Sequence, residues 1–143
     1  MRGYLLDSTA LIDLLDEWPE AGDRIPGTRA AAGLCASIVS KGELMVGAYM
    51  LQGPNHTPDE FVSELGNVKR LFADLTAVYP VTDETTALYG RLQAQLILQG
   101  KRKLTINDGW IAATALEHRL TLVTSDQRLK DLGDLLRIED WRV

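Results

Sequence analysis

Asp7, Glu43, Asp108 and Asp126 are the side chains of this sequence whose type and placement suit joint chemistry. Asp7 directly follows the apolar run Tyr4-Leu5-Leu6, and Asp126 directly follows the run from Leu120 to Thr124. Glu43 lies about one turn into a segment of helical period, and Asp108 opens another. Ionised carboxylates gathered in one cleft repel and raise one another's pKa values unless a cation neutralises them. Hard divalent cations fit that task, because carboxylate and water oxygens serve them best. Taken singly, each acid also has a plain structural reading. Asp7 suits a strand end or a helix cap, Ser40-Lys41-Gly42-Glu43 fits a capping box, Asp108 falls in a first turn, and Asp126 suits an ordinary turn.

The elements that must position these acids alternate between short apolar runs and segments of helical period. Tyr4 to Leu6, Gly33 to Ser37, Ala77 to Val81 and Leu120 to Thr124 read as strands, and Leu136-Arg137-Ile138 adds an edge strand. Helical spacing follows the first strand at Ala10, Leu11, Leu14 and Leu15, and the second at Leu44, Val46, Ala48 and Leu51. Thr57-Pro58-Asp59-Glu60 reads as a helix start with a capping box, opening a stripe of Phe61, Leu65, Val68, Phe72 and Leu75. Thr82 caps a further helix that ends at Gly100, and residues 107–118 form another. Short strands each followed by a helix require right-handed crossovers. The fold class expected is α/β: a three-layer α/β/α sandwich with a central parallel sheet, over residues 1–143 as a single domain.

In such a sheet, ligands bind outside the carboxyl ends of the strands. Asp7 and Asp126 lie there directly, and Glu43 one helical turn further on. The helix carrying Asp108 precedes the fourth strand and runs antiparallel to it, which brings its N-terminus to the same edge. All four acids are therefore able to face one cleft.

The overall composition limits other readings. The chain has 143 residues, with 15 Lys+Arg against 20 Asp+Glu and a formal net charge of −5. That balance argues against a broad nucleic-acid-binding surface. The single cysteine, Cys35, excludes an intramolecular disulfide and gives no zinc-ligand spacing. The longest apolar stretch, Ala30 to Val39, is too short for a membrane span, and the opening residues have no signal-peptide pattern, so a soluble, cytoplasmic protein is expected. Neither His56 nor His118 has a second His or Cys at ligand spacing; His118 suits a helix C-terminus. A haloacid-dehalogenase-like site needs an aspartate where Thr9 stands, a receiver domain needs paired acids near the first strand, and a Rossmann site needs a glycine fingerprint that is missing.

The run from Tyr4 to Leu15, with Leu6-Asp7-Ser8-Thr9-Ala10-Leu11 at its centre, resembles the opening motif of PIN-domain ribonucleases, in particular the VapC toxins of bacterial toxin–antitoxin pairs. Ser37-Ile38-Val39-Ser40-Lys41-Gly42-Glu43-Leu44 resembles their second motif, the run from Asn107 to Leu116 their third, and Leu122-Val123-Thr124-Ser125-Asp126 their fourth. The matches occur in family order and span nearly the whole chain.

The resemblance implies a metal-dependent endoribonuclease that leaves a 3′-hydroxyl and a 5′-phosphate. It assigns catalytic metal-binding roles to Asp7, Glu43, Asp108 and Asp126, with Mg2+ or Mn2+ as the cofactor. It further implies an RNA substrate, a VapB-like antitoxin, a homodimer and no membrane partner. Thr9 stands where the family more often has asparagine or serine, so its hydroxyl is a candidate to orient Asp7 or a metal-bound water. Gly109 stands where a larger apolar residue is common, which alters packing at the cleft wall. Lys101-Arg102-Lys103, just before Asp108, is a cationic cluster able to hold RNA phosphates, with Arg2 and Lys41 as weaker candidates. About two divalent ions at the acids would offset roughly four charges, so the net charge leaves room for a metal-charged cleft with a basic margin. The alternative is a PIN scaffold that binds RNA or a partner without cutting, for which converging acids have no use.

Overall fold

The computed structural model describes residues 3–16 and 33–142; Arg2 and the first residues of the apolar run at Ala30 lie outside them. Five strands form one sheet in the order β3-β2-β1-β4-β5, with β1 at Tyr4–Leu6, β2 at Leu34–Ser37, β3 at Ala77–Tyr79, β4 at Thr121–Val123 and β5 at Ile138–Glu139. Every pairing is parallel, with Leu5 opposite Cys35 and Leu122, Val123 opposite Glu139, and Ser37 opposite Tyr79. β3 stops at Tyr79, short of the expected Val81, because Pro80 has no N–H to give the ladder.

Side chains alternate across the pleat and build a core on each face. Leu6, Ala36 and Val123 point to one side, where they pack with Leu11 and Leu14 of α1 (Ser8–Asp16), Leu44 and Ala48 of α2 (Ile38–Tyr49), and Val68, Leu71 and Phe72 of α3 (Pro58–Asp74). Leu5, Cys35 and Leu122 point to the other, against Leu92 and Leu96 of α4 (Asp83–Leu98), Ile111 and Ala115 of α5 (Ile106–His118), and Leu129 of α6 (Gln127–Lys130). The expected three-layer α/β/α sandwich with a parallel sheet is thus present. Among the described residues, no helix is long and apolar enough to cross a membrane.

Several local expectations change. Thr57 caps α3 by accepting from the Glu60 N–H at 3.2 Å, but Glu60 does not complete a capping box: its carboxylate pairs with His56 Nδ1 at 2.8 Å. The reciprocal box occurs at α4, between Thr82 and Thr85. The α3 stripe is turned slightly, with Leu71 buried and Phe61 only half-buried against Tyr49, ring centroids 5.5 Å apart. Ile106 projects into solvent at the start of α5, and Trp110 stacks on Tyr89 at 4.0 Å.

Candidate metal centre

Asp7 sits where β1 ends, and the ladder carries one bond further, with its N–H donating to Val123 O at 3.0 Å. That bond sets Asp7 beside Thr124, the residue after β4. The carboxylate is only 4% exposed, and its Oδ1 accepts the Ala10 N–H at 2.8 Å, so it caps α1 as well as facing the sheet edge. Burial pushes the Asp7 carboxyl above its ordinary value, against the hydrogen bonds from Thr124 and Ala10, and the charge of Asp126 raises it further. Arg142 lowers it in smaller measure while its guanidinium hydrogen-bonds Asp13.

Thr124, 1% exposed, joins two of the acids: its side chain hydrogen-bonds Asp7, and its Oγ1 accepts the Asp126 N–H at 3.0 Å. Asp126 caps α6, its Oδ1 accepting the Arg128 N–H at 2.8 Å, and its side chain is otherwise exposed. The structural reading of Asp126 is therefore a helix cap.

Glu43 reaches the cleft from the second turn of α2. The cap of that helix is Ser37, whose Oγ accepts the Val39 N–H at 3.1 Å, so Ser40 is not the capping residue expected. Ser40 is fully buried inside the helix and hydrogen-bonds Ser8 Oγ at 3.1 Å, while Ser8 donates to Glu43 Oε1 at 2.7 Å. Ser8 thus ties the start of α1 to the Glu43 carboxylate. Thr9, the residue expected to supply an orienting hydroxyl, is exposed and has no side-chain hydrogen bond among the described contacts. A helix that starts at Ser8 directs that residue to α2 and Thr9 outward.

Asp108 lies in the first turn of α5, where Thr105 Oγ1 accepts its N–H at 3.3 Å. Burial raises its carboxyl most, and the charges of Asp126, Asp7 and Glu43 each raise it further. The charges of the other three expected acids thus all reach Asp108, and that of Asp126 also reaches Asp7. Among the described residues, no group of three or more His, Cys, Asp or Glu side chains is placed so that together they could hold a metal ion. Magnesium is commonly held through one or two carboxylates and several waters, so acids spread around a cleft suit it better than a closed cage. The donors are all oxygen, and no ion pair among the described residues occupies any of the four acids. The donor chemistry fits a hard divalent cation.

The remaining expected residues fall around this centre. Lys101, Arg102 and Lys103 are exposed in the connection leading to Thr105. Lys41 lies over the Phe72 ring at 5.9 Å, which draws it toward the α3 side. His118 closes α5 stacked on Tyr79 at 3.7 Å. At Gly109 a Cβ would stand 2.5 Å from Tyr89 Cε2 and 2.7 Å from Gln93 Nε2, so the space a larger residue would occupy is already filled from α4.

An all-parallel sheet with acids collected at one edge defines an α/β class with a carboxylate-lined edge, and the comparisons narrow it. Residues 4–135 match the PIN domain family, and the chain belongs to that family. It is 28% identical over 124 residues to Ribonuclease VapC5 of Mycobacterium tuberculosis, with 87% of each chain covered. Ribonuclease VapC4 of the same organism is 28% identical over 99 residues, covering 69% of this chain and 71% of the relative. Among solved structures, DNA-bound VapBC from Salmonella typhimurium shares the fold at a TM-score of 0.79 and 23% identity, with 99% of each chain covered. VapBC-5 of Mycobacterium tuberculosis, from a family of toxin–antitoxin systems, matches at a TM-score of 0.69 and 27% identity over 100% of each chain. The family resemblance carried by the four motifs is borne out.

Proposed function

We propose that this PIN domain is a metal-dependent endoribonuclease of VapC type, a cytoplasmic toxin held in check by a VapB-like antitoxin. The observation that carries the reading is the convergence of charge from Asp7, Glu43 and Asp126 on Asp108 at one sheet edge, with no cation of the chain paired to any of the four among the described residues. The similarity to VapC ribonucleases supports RNA as the substrate.

Asp7, Glu43 and Asp108 would hold the principal ion, Mg2+ or Mn2+, with Asp126 on a second ion or a coordinated water. When bound, the ion supplies an activated water and neutralises charge on the phosphodiester and the leaving oxygen. The chain's own residues do the positioning. Thr124 and the Ala10 N–H fix Asp7, Ser8 fixes Glu43, and Thr105 fixes the turn that presents Asp108. In the hydrolysis, water oxygen bonds to phosphorus, the P–O3′ bond breaks, and the proton ends on O3′, which leaves a 3′-hydroxyl and a 5′-phosphate.

Exposed apolar side chains support protein partners. Val46, Tyr49, Met50 and Val62 are 49–71% exposed around the end of α2, and Ile97, Leu98 and Ile106 are 56–86% exposed around the α4–α5 connection. Such patches mark association surfaces, and an antitoxin and a second copy of the chain are the partners we assign to them. The decisive experiment compares RNA cleavage by wild type, Asp7→Asn and Asp108→Asn, each with magnesium and with EDTA. Activity in wild type with magnesium alone is expected. Equal activity in all three proteins would overturn the reading, and calorimetry without saturable magnesium or manganese binding would favour a non-cutting scaffold.

A further inference from the structure

We propose that a hollow between the α4–α5 connection and α6 is a subsite for one nucleotide of the RNA strand beside the acid cluster; this rests on the nuclease reading above. The hollow has a volume of about 390 Å3, and three cations line it: Lys101, Arg102 and Arg128. Its floor is Leu96, Leu104 and Leu132, all drawn from the core on that face of the sheet. Lys103 does not line it, so the basic run divides, with Lys101 and Arg102 turned to the hollow.

Both walls are attached to the acids. Arg128 donates its backbone N–H to Asp126 Oδ1 at 2.8 Å, and the segment carrying Lys101 and Arg102 runs into Thr105, the cap that holds the Asp108 N–H at 3.3 Å. The segment is also pinned. Gly100 makes the turn out of α4 with φ of +74°, a left-handed conformation suited to glycine, and the Lys101 N–H bonds Leu96 O at 2.8 Å. Gln93, 7% exposed, then clamps Leu104 from both sides, with Nε2 donating to Leu104 O at 3.0 Å and Oε1 accepting its N–H at 2.9 Å. That clamp satisfies the backbone of the buried Leu104 and holds the segment in place.

None of the three cations forms an ion pair among the described residues, although Asp131 also lines the hollow. The Asp131 carboxylate instead accepts from Gln127 Nε2 at 2.8 Å. Cations around an apolar floor suit a ligand with an anionic part and a flat apolar part. A nucleotide has both: its phosphate meets Lys101, Arg102 and Arg128, and its base covers the small apolar margin that Leu96, Leu104 and Leu132 leave exposed. Asp131 then offers an acceptor to an amino group on that base. A free inorganic anion would use the cations and leave the floor wet.

The test uses a fluorescein-labelled ten-nucleotide RNA of random sequence, with anisotropy measured in EDTA so that binding is separated from cleavage. Against wild type, the double variant Arg102→Ala/Arg128→Ala is expected to bind about tenfold more weakly. Its log affinity should also fall less steeply with log salt, by about 1.4 in slope for two lost phosphate contacts. The double variant Lys69→Ala/Arg70→Ala on α3 should match wild type. In the magnesium cleavage assay, the hollow variant should raise KM and leave kcat near wild type. Unchanged affinity and salt slope in Arg102→Ala/Arg128→Ala, or an equal loss in Lys69→Ala/Arg70→Ala, would overturn the subsite. RNA binding that depends on the hollow without any magnesium-dependent cleavage would overturn the nuclease reading and sustain the subsite. Cleavage with unaltered KM in the hollow variant would overturn the subsite alone.

Discussion

Two sets of acids in this molecule receive opposite treatment. Near the C-terminal end of the described chain, Asp140 takes Lys130 Nζ at 3.0 Å, and Asp13 takes both Nε and Nη2 of Arg142 at 2.7 and 2.8 Å. The Lys130 hydrogen bond above all holds the Asp140 carboxyl below its ordinary value. At the sheet edge, Asp7 and Asp108 are raised instead, by burial first and by neighbouring carboxylates after it. The partners of the cleft acids are neutral: the Thr124 side chain and the Ala10 N–H at Asp7, the Thr105 side chain at Asp108, and the Ser8 hydroxyl at Glu43. The fold has cations at hand and spends them elsewhere, which leaves the cleft negative and suited to an ion from solution.

The strongest way to break this contrast is to remove one acid from each set. Asp108→Asn should lower magnesium-dependent RNA cleavage on the order of 100-fold or more, while Asp140→Asn should stay within about twofold, measured as kcat/KM on one RNA. Equal losses would mean that the cleft acids have no special standing. A magnesium titration followed by thermal unfolding comes next. Saturating metal should stabilise wild type by about 2.7 kcal/mol at a hundredfold excess over Kd, and the gain should vanish in Asp108→Asn. Ser8→Ala sharpens the comparison further, since it deletes a neutral partner of Glu43; magnesium affinity by calorimetry should fall about tenfold.

The smallest effect concerns stability without metal. The native Asp7 carboxyl is raised above 3.8, so the folded state binds that proton more tightly than the unfolded state does. Its contribution to stability is complete below pH 3.8 and is lost as pH rises through the raised value. Asp7→Asn should therefore raise the Tm of the metal-free protein at pH 7, by about 2–4 °C for each kcal/mol recovered. The native Asp140 carboxyl is lowered, so its contribution holds above pH 3.8 and is lost as pH falls through the lowered value. Asp140→Asn should reduce the Tm at pH 7. Matching signs for the two variants would erase the distinction.

The positions of the acids were legible because a parallel sheet has one functional edge, and strand ends can be located from apolar runs alone. Asp7 and Asp126 needed nothing more, and the helix direction of α5 brought in Asp108. The hydroxyls that serve those acids were less legible. Ser8, Thr9, Ser40 and Thr124 are alike as residue types, and which one touches a carboxylate depends on where a helix begins and what packs across from it. A start at Ser8 sends that residue to Glu43 and Thr9 outward. Likewise Ser40-Lys41-Gly42-Glu43 satisfies the local pattern of a capping box, yet β2 ends at Ser37, whose hydroxyl takes the cap. Glu60 fits its local pattern too, but His56 competes for its carboxylate. Gly109 carried no legible signal for its neighbours, because the close approach of Tyr89 and Gln93 belongs to helix packing between α4 and α5.

The strand order has a consequence in time as well as in space. β1 precedes the other four strands in the chain yet lies at the centre of the sheet, flanked by β2 and β4. The last of the four acids, Asp126, follows β4, and Thr124, which steadies Asp7, arrives with it. A nascent chain that has not reached β4 has β1 with one neighbour, an unsupported Asp7, and neither Asp108 nor Asp126 secured beside it. On the nuclease reading, an unfinished chain on the ribosome is harmless to the RNA around it. Activity comes into being only when β4 docks on β1, and that sets the moment at which the antitoxin must already be at hand.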